Sequence, residues 1–235
     1  MTGNWENLII KTFSCDAALL EKCLPRDIEL DLYQNKALFS MVAFTFSKVK
    51  FFGFKIPLHQ SFGEINFRCY VKSKIDGTKG VVFIKELAPK PLMALIANGI
   101  YNEPFYYKKI TKKIISSAIY KDICYSFKSQ KKWYAINTTI LNEKIKLKTN
   151  SLQEFIVDRY IAFVKGRRNT TYEYKINHKP WQLFNIQNVS IPKEVLSLLP
   201  TKFHTASEIA TYVVDGSAIT VEKGILQKQT NLALI

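Results

Sequence analysis

Cysteine and histidine are scarce in this 235-residue chain and badly spaced for the chemistry they usually carry. Cys15, Cys23, Cys69 and Cys124 form no C-x-x-C pair, and His59, His178 and His204 form no H-x-x-x-H pair. No metal site follows from such spacing, and reduced thiols are expected instead. Also missing are G-x-S-x-G, G-x-G-x-x-G and P-loop patterns. Serine-hydrolase, dinucleotide and P-loop nucleotide readings lose their anchors, and no cofactor is expected. Long hydrophobic runs are absent too: the richest, Ala37 to Phe46, falls far short of the roughly 20 residues of a membrane helix. The N-terminus has no basic segment and only Leu8, Ile9 and Ile10 before Lys11, unlike a secretory signal. The expectation is a cytoplasmic protein with no membrane partner.

Acidic residues are in short supply, 19 against 34 basic ones, which gives a net charge of +15. Eleven lysines between Lys108 and Lys148 face only Asp122 and Glu143. Such an excess can mark a nucleic-acid footprint. Here lysines heavily outnumber arginines and no nucleic-acid-binding motif accompanies them, so solvated strand faces are the stronger reading. The sequence leaves a homo-oligomer open.

What is present is a globular composition, 47% hydrophobic, with 16 Phe and 12 Tyr favouring β-structure in one domain over residues 1–235. Ser14 and Asp16 cap a short helix that stops at Pro25. Leu38 to Val49 reads as a long strand covered on both faces. The runs "EINFRCYV" and "GVVFIKEL" form a hairpin turning at Asp76-Gly77. Pro91 and Gly99 bracket a second short helix. "DICYSFKS" and "EKIKLKT" read as half-exposed strands. The capping-box spacing of Ser151 and Glu154 opens the longest expected helix, running to Gly166. A strand at "TTYEYKIN", a short helix at "PKEVLSLLP" and a hairpin turning at Asp215-Gly216 follow, and residues from 226 onward read as a loose tail. Many strands with a few short helices predict an α+β, mainly β protein built as a barrel or closed sheet.

Strand periodicity sends Glu64, Asn66, Arg68 and Tyr70 to one face and Ile65, Phe67, Cys69 and Val71 to the other. The polar row fits a solvent face and a wet cavity equally well. In a cavity, a carboxylate and a guanidinium would orient a polar ligand, with Glu64 the candidate acid or base. "VVFIKEL" places Val81, Phe83 and Lys85 opposite Val82, Ile84 and Glu86, with Lys85 expected to snorkel. Arg159 and His178 lie beside aromatics, where packing competes with a ligand role.

The order "LPRDIELDLYQNKALFSMVAF", "FGEINFRCYV", "GVVFIKEL", "EPFYYKKI", "EFIVDRY" and "NHKPWQLF" resembles the uncharacterised YqjF-like family of the acetoacetate decarboxylase-like superfamily. The resemblance spans roughly Trp5 to Pro200. It implies an acetoacetate decarboxylase-like antiparallel β-barrel with peripheral helices and an internal cavity, which favours the pocket reading of the Glu64 row. In the decarboxylases a Gly-Arg-Glu is followed by Pro-Lys-Lys, whose first lysine forms a Schiff base. On that pattern Asn98 and Gly99 occupy the Arg and Glu places, and Phe105 and Tyr106 follow Pro104 where the lysines belong. Lys108 and Lys109 come too late to serve. The resemblance therefore implies a small-molecule cavity lined by Glu64, Asn66, Arg68, Tyr70, Phe105 and Tyr106, with Tyr107, Arg159 and His178 at its edge, and no Schiff-base amine. A small anionic or carbonyl-containing, partly apolar ligand is expected; lyase- or isomerase-like chemistry through Glu64 is the alternative, and nucleic-acid binding the third reading.

Overall fold

The computed structural model describes residues 1–51, 53–55, 60–89 and 105–227. Strand follows strand along the chain: β1 (Thr2–Cys15), β2 (Ile28–Leu30), β3 (Ala37–Phe51), β4 (Phe54–Lys55), β5 (Ser61–Ser73), β6 (Lys79–Ala88), β7 (Phe105–Tyr107), β8 (Ile110–Ser116), β9 (Tyr120–Ser129), β10 (Lys132–Ile145), β11 (Ile161–Lys165), β12 (Thr171–His178), β13 (Leu183–Ser190), β14 (Ser207–Val221) and β15 (Ile225–Leu226). Short helices α1 (Ala17–Glu21) and α2 (Leu152–Val157) and 3-10 turns at Lys193–Leu198 and Thr201–Phe203 lie between them.

Seven of these strands close on themselves in the order β12-β11-β6-β5-β3-β1-β14, and β14 returns to β12 through Ile176↔Val221, Asn177↔Thr220 and His178↔Ile219. Neighbours in this ring run antiparallel except β6 and β11, which are parallel. From β14 the sheet continues outward as β13-β10-β9-β8 and folds over the ring.

This double layer explains why β3 is apolar on both faces. Leu38, Val42, Phe44 and Phe46 belong to the core inside the ring, with Val81, Phe83, Val164, Ile176 and Val214. Phe39, Met41 and Ala43 belong to a second core between ring and outer sheet, with Phe67, Tyr125, Phe127, Ile136 and Leu196. On β9 the odd positions Ile123, Tyr125, Phe127 and Ser129 are buried and the even ones between them are not, as the alternation there predicts.

Several expectations are corrected. The helix expected from Ser151 to Gly166 ends at Val157, and Ile161–Lys165 is strand β11. The start was legible: the Glu154 N–H donates to Ser151 Oγ at 3.3 Å. An apolar run this short fits either period, and the ring's need for a strand beside β6 decides it, with Ala162 and Val164 turned inward and Phe163 outward. Asp215-Gly216 is not a hairpin turn, because β14 runs straight through it. Gly216 adopts φ +78° opposite Glu6, where a Cβ would meet the Trp5 carbonyl, so the pair marks a local kink. "EKIKLKT" is strand only as far as Ile145. Leu226 and Gln227 are tied down: β15 pairs with β12, and Gln227 N donates to Thr171 O. The helix expected near Pro91, together with His59, Asn98, Gly99 and Pro104, lies outside the described residues.

Candidate functional site

The inner face of β5 carries Glu64, Asn66, Arg68 and Tyr70, each at most 5% exposed. Their cross-strand partners on β3 are Phe44, Val42 and Ser40 for the first three. On β6, Phe83 stands opposite Arg68 and Glu86 opposite Asn66, because Ile84 is an extra residue between them. That bulge corrects the strict alternation read from "VVFIKEL": Glu86 joins Phe83 inside, and Lys85 is outside. Lys85 is half-buried, and its Nζ donates to Leu198 O at 2.8 Å rather than reaching water. Burial, with Lys108 nearby, lowers its pKa. β7 runs parallel to β6 and sets Phe105 beside Glu86. Phe105 is buried within the ring core, whereas Tyr106 and Tyr107 are 53% and 51% exposed. The aromatic wall from this segment is thus Phe105 alone, and Tyr106 lies instead under Lys85 Nζ, 5.2 Å away.

Arg68 is the most unusual group in the row. Its Nη2 donates to Ile156 O at 3.1 Å, pinning the last turn of α2, and its guanidinium carbon lies 6.0 Å from the Tyr70 ring. Among the described residues it makes no ion pair, and its Nε is buried without a hydrogen-bond partner. The Asn66 Oδ1 next to it is in the same condition. Burying a charge with part of its hydrogen bonding unmet is costly, so a group that supplies the missing contact is favoured there. Tyr70 is fully satisfied: its hydroxyl is 2.5 Å from Ser40 Oγ, which is 2.7 Å from Thr12 Oγ1.

Arg159 approaches from the turn after α2 and is also buried. Its Nε donates to Phe155 O at 2.8 Å, and its guanidinium stacks 4.4 Å from the Phe155 ring and 5.5 Å from Tyr70. Asp31 neutralises it, with Oδ2 2.8 Å from Nη1 in an ion pair that lacks hydrogen-bond alignment. Burial pulls the Arg159 pKa below the ordinary arginine value, and Asp31 opposes this. A groove of about 400 Å³ opens beside this pair, lined by Asp31, Tyr33, Lys79, Phe155, Asp158 and Arg159.

His178 ends β12 at the ring's seam, stacked between Tyr160 (4.5 Å) and Trp181 (4.2 Å). Its Nδ1 is 2.8 Å from Lys179 O. Burial lowers its pKa, and the positive charge of Arg68 acts in the same direction. Trp181 donates to Ser217 Oγ and meets Trp5 edge-on, which meets Phe44 in turn. Glu64, Asn66, Arg68, Tyr70, Phe105, Arg159 and His178 therefore gather on or around the ring interior, and Tyr106 and Tyr107 do not. Glu86, Asp31, Ser40 and Thr12 belong to the same region but were not singled out from sequence. Only a bulge brings Glu86 inward, and no local pattern distinguishes Asp31. Among the described residues no group of three or more His, Cys, Asp or Glu side chains is set to hold a metal ion.

A family model for DUF2071, described as an uncharacterized conserved protein, matches residues 2–216. The chain belongs to that family. It is 27% identical over 194 residues to the uncharacterized protein YqjF of Bacillus subtilis (strain 168), covering 80% of this chain and 76% of that one. Its fold is that of the acetoacetate decarboxylase-like proteins. An acetoacetate decarboxylase-like enzyme from Sphingomonas wittichii RW1 superposes with a TM-score of 0.63 at 12% identity, over 97% of this chain and 93% of the other. The enduracididine biosynthesis enzyme MppR complexed with pyruvate gives 0.62 at 10% identity, over 96% and 90%. Acetoacetate decarboxylase from Legionella pneumophila gives 0.61 at 13% identity, over 97% and 88%. At these identities the likeness establishes architecture; activity has to be argued from the site.

Proposed function

We propose that this DUF2071 protein binds a small, partly apolar carboxylate inside the ring, with Arg68 as the group that receives the negative charge. The observation that carries this reading is a buried guanidinium with no ion pair among the described residues and one N–H left without an acceptor. Arg159 is excluded from that role by Asp31, so of the two buried arginines at the row only Arg68 offers an open positive charge, which suits a singly charged carboxylate better than a doubly charged phosphate. Phe44, Phe83 and Phe105 beside the row supply apolar contact for the rest of the molecule. MppR, one of the proteins sharing the fold, has been obtained with pyruvate. No lysine stands among the described inner residues of β5, β6 and β7, and Phe105 occupies the place the family pattern gives to an amine, which supports binding without a Schiff base. The groove lined by Arg159 is the described opening nearest the row, with the Arg159 guanidinium standing between it and the Tyr70 ring 5.5 Å away.

Thermal shift with straight-chain monocarboxylates of three to six carbons tests the reading. The wild-type protein is expected to be stabilised in proportion to the logarithm of ligand concentration above Kd, and Arg68→Met to lose that response while remaining folded. An Arg68→Met protein that responds like the wild type, or a wild type that responds to none of the acids, overturns it.

A further inference from the structure

Arg68 is one of two buried groups in the row with an unmet hydrogen-bonding requirement, and the second constrains the ligand differently. Asn66 is 4% exposed, lies two residues from Arg68 on the same face of β5, and has a carbonyl oxygen with no donor among the described residues. Its cross-strand neighbours are Val42, which can donate nothing from its side chain, and Glu86. An N–H lacking an acceptor and a C=O lacking a donor therefore belong to neighbouring side chains on one face, two residues or about 6.5 Å apart along the strand. An amide oxygen buried in this way is penalised until a donor arrives. A simple carboxylate or an oxo acid satisfies Arg68 and leaves Asn66 as it was.

Resting on the carboxylate reading above, we infer that the ligand carries a hydrogen-bond donor in addition to its carboxylate: a hydroxy acid, or an amino acid whose nitrogen plays the same part. The carboxylate meets Arg68 Nε–H, the hydroxyl or amine donates to Asn66 Oδ1, and the intervening carbons lie against the rings of Phe44 and Phe83. This separates the protein's ligand from oxo acids, which offer only acceptors. Polar selection of this kind is stronger than selection by fit alone, because the wrong molecule leaves a buried group unpaired.

The test uses matched probes on the intact chain: ω-hydroxy acids of three to six carbons, the unsubstituted acids of equal length, and the ω-methoxy acids, which accept a hydrogen bond but cannot donate one. Isothermal titration is expected to give one chain length at which the hydroxy acid binds about tenfold tighter than both analogues. Asn66→Leu, which replaces an unsatisfied amide with an apolar group of similar volume, is expected to erase the difference between the hydroxy and the unsubstituted acid. Equal affinity for the hydroxy and unsubstituted acids at every length overturns the inference and leaves the Arg68 reading standing. Preference for the methoxy acid also overturns it, since it would mean that Asn66 presents its NH2. Failure of all three series in the wild type removes the carboxylate reading itself. Should Asn66→Leu not fold, the comparison among probes on the wild type still decides.

Discussion

A guanidinium inside a protein is valued by what it touches. Of the five arginines in the chain, Arg68 and Arg159 lie inside while the abundant lysines stay mostly outside, which suits arginine's fixed fork and lower hydration. Arg159 has a carboxylate, a carbonyl and two aromatic faces; Arg68 has one carbonyl and a distant ring. His178 shows the same logic for a titrating group. Its ring is stacked on both faces, near Arg68, the Asp158 carboxylate and the Lys179 carbonyl, and its pKa lies below the ordinary 6.5. The unfolded chain then takes up the proton first as pH falls, so this residue's share of stability is intact above about pH 6.5 and declines below it. Urea midpoints at pH 7.5 and 5.5 are expected to fall more for the wild type than for His178→Phe; parallel losses would remove His178 from the pH dependence. The Glu64-to-Tyr70 row was legible as a face, because period-two alternation in β5 is uninterrupted. Whether that face met water or a closed interior was not legible, since alternation is blind to what lies opposite.

At the level of the element, the misread segments share one cause. Ile161–Lys165 and the strand through Gly216 were judged on local pattern, and in both a long-range neighbour decides the conformation: β6 for the first, β1 for the second. Gly216 holds φ +78° with the Trp5 carbonyl 2.0 Å from where a Cβ would stand. Gly77 has φ +74° with open space around it, as its turn between β5 and β6 requires. Gly216→Ala is therefore expected to cost at least about 2 kcal/mol, and Gly77→Ala about 1 kcal/mol, because only the first adds a collision to the backbone strain. Chemical denaturation of both variants checks this, and equal losses would contradict the kinked β14. Signals that depend on adjacent residues, such as the Asp16 cap of α1 and the Ser151 cap of α2, were readable. The bulge at Ile84 was not, because nothing in "VVFIKEL" marks the extra residue.

Across the whole molecule, two cores share one set of strands. β1, β3 and β5 are paired on both edges and covered on both faces, whereas β8 and β15 end the strand order. Amide exchange is expected to be slowest in β1, β3 and β5 and orders of magnitude faster in β8 and β15, read by mass spectrometry of exchanged peptides. Comparable protection in β8 would mean that its outer edge is paired in solution. The closed-sheet class could be anticipated from the number of strands and the Phe and Tyr content. The folding of β8–β10 and β13 back over the ring could not, because it depends on which apolar faces find each other at long range.

The pairing of β1 with β14 has one further consequence, for synthesis. β1 can pair with β3 as soon as both have been synthesised, but its other edge waits for Ser207–Val221, roughly 200 residues further along. At ordinary elongation rates of about 5–20 residues per second, that is about 10–40 s with an unpaired apolar strand on the ribosome. Until then β3 covers only one edge of β1, and the other is a row of open backbone groups on which a neighbouring polypeptide can pair.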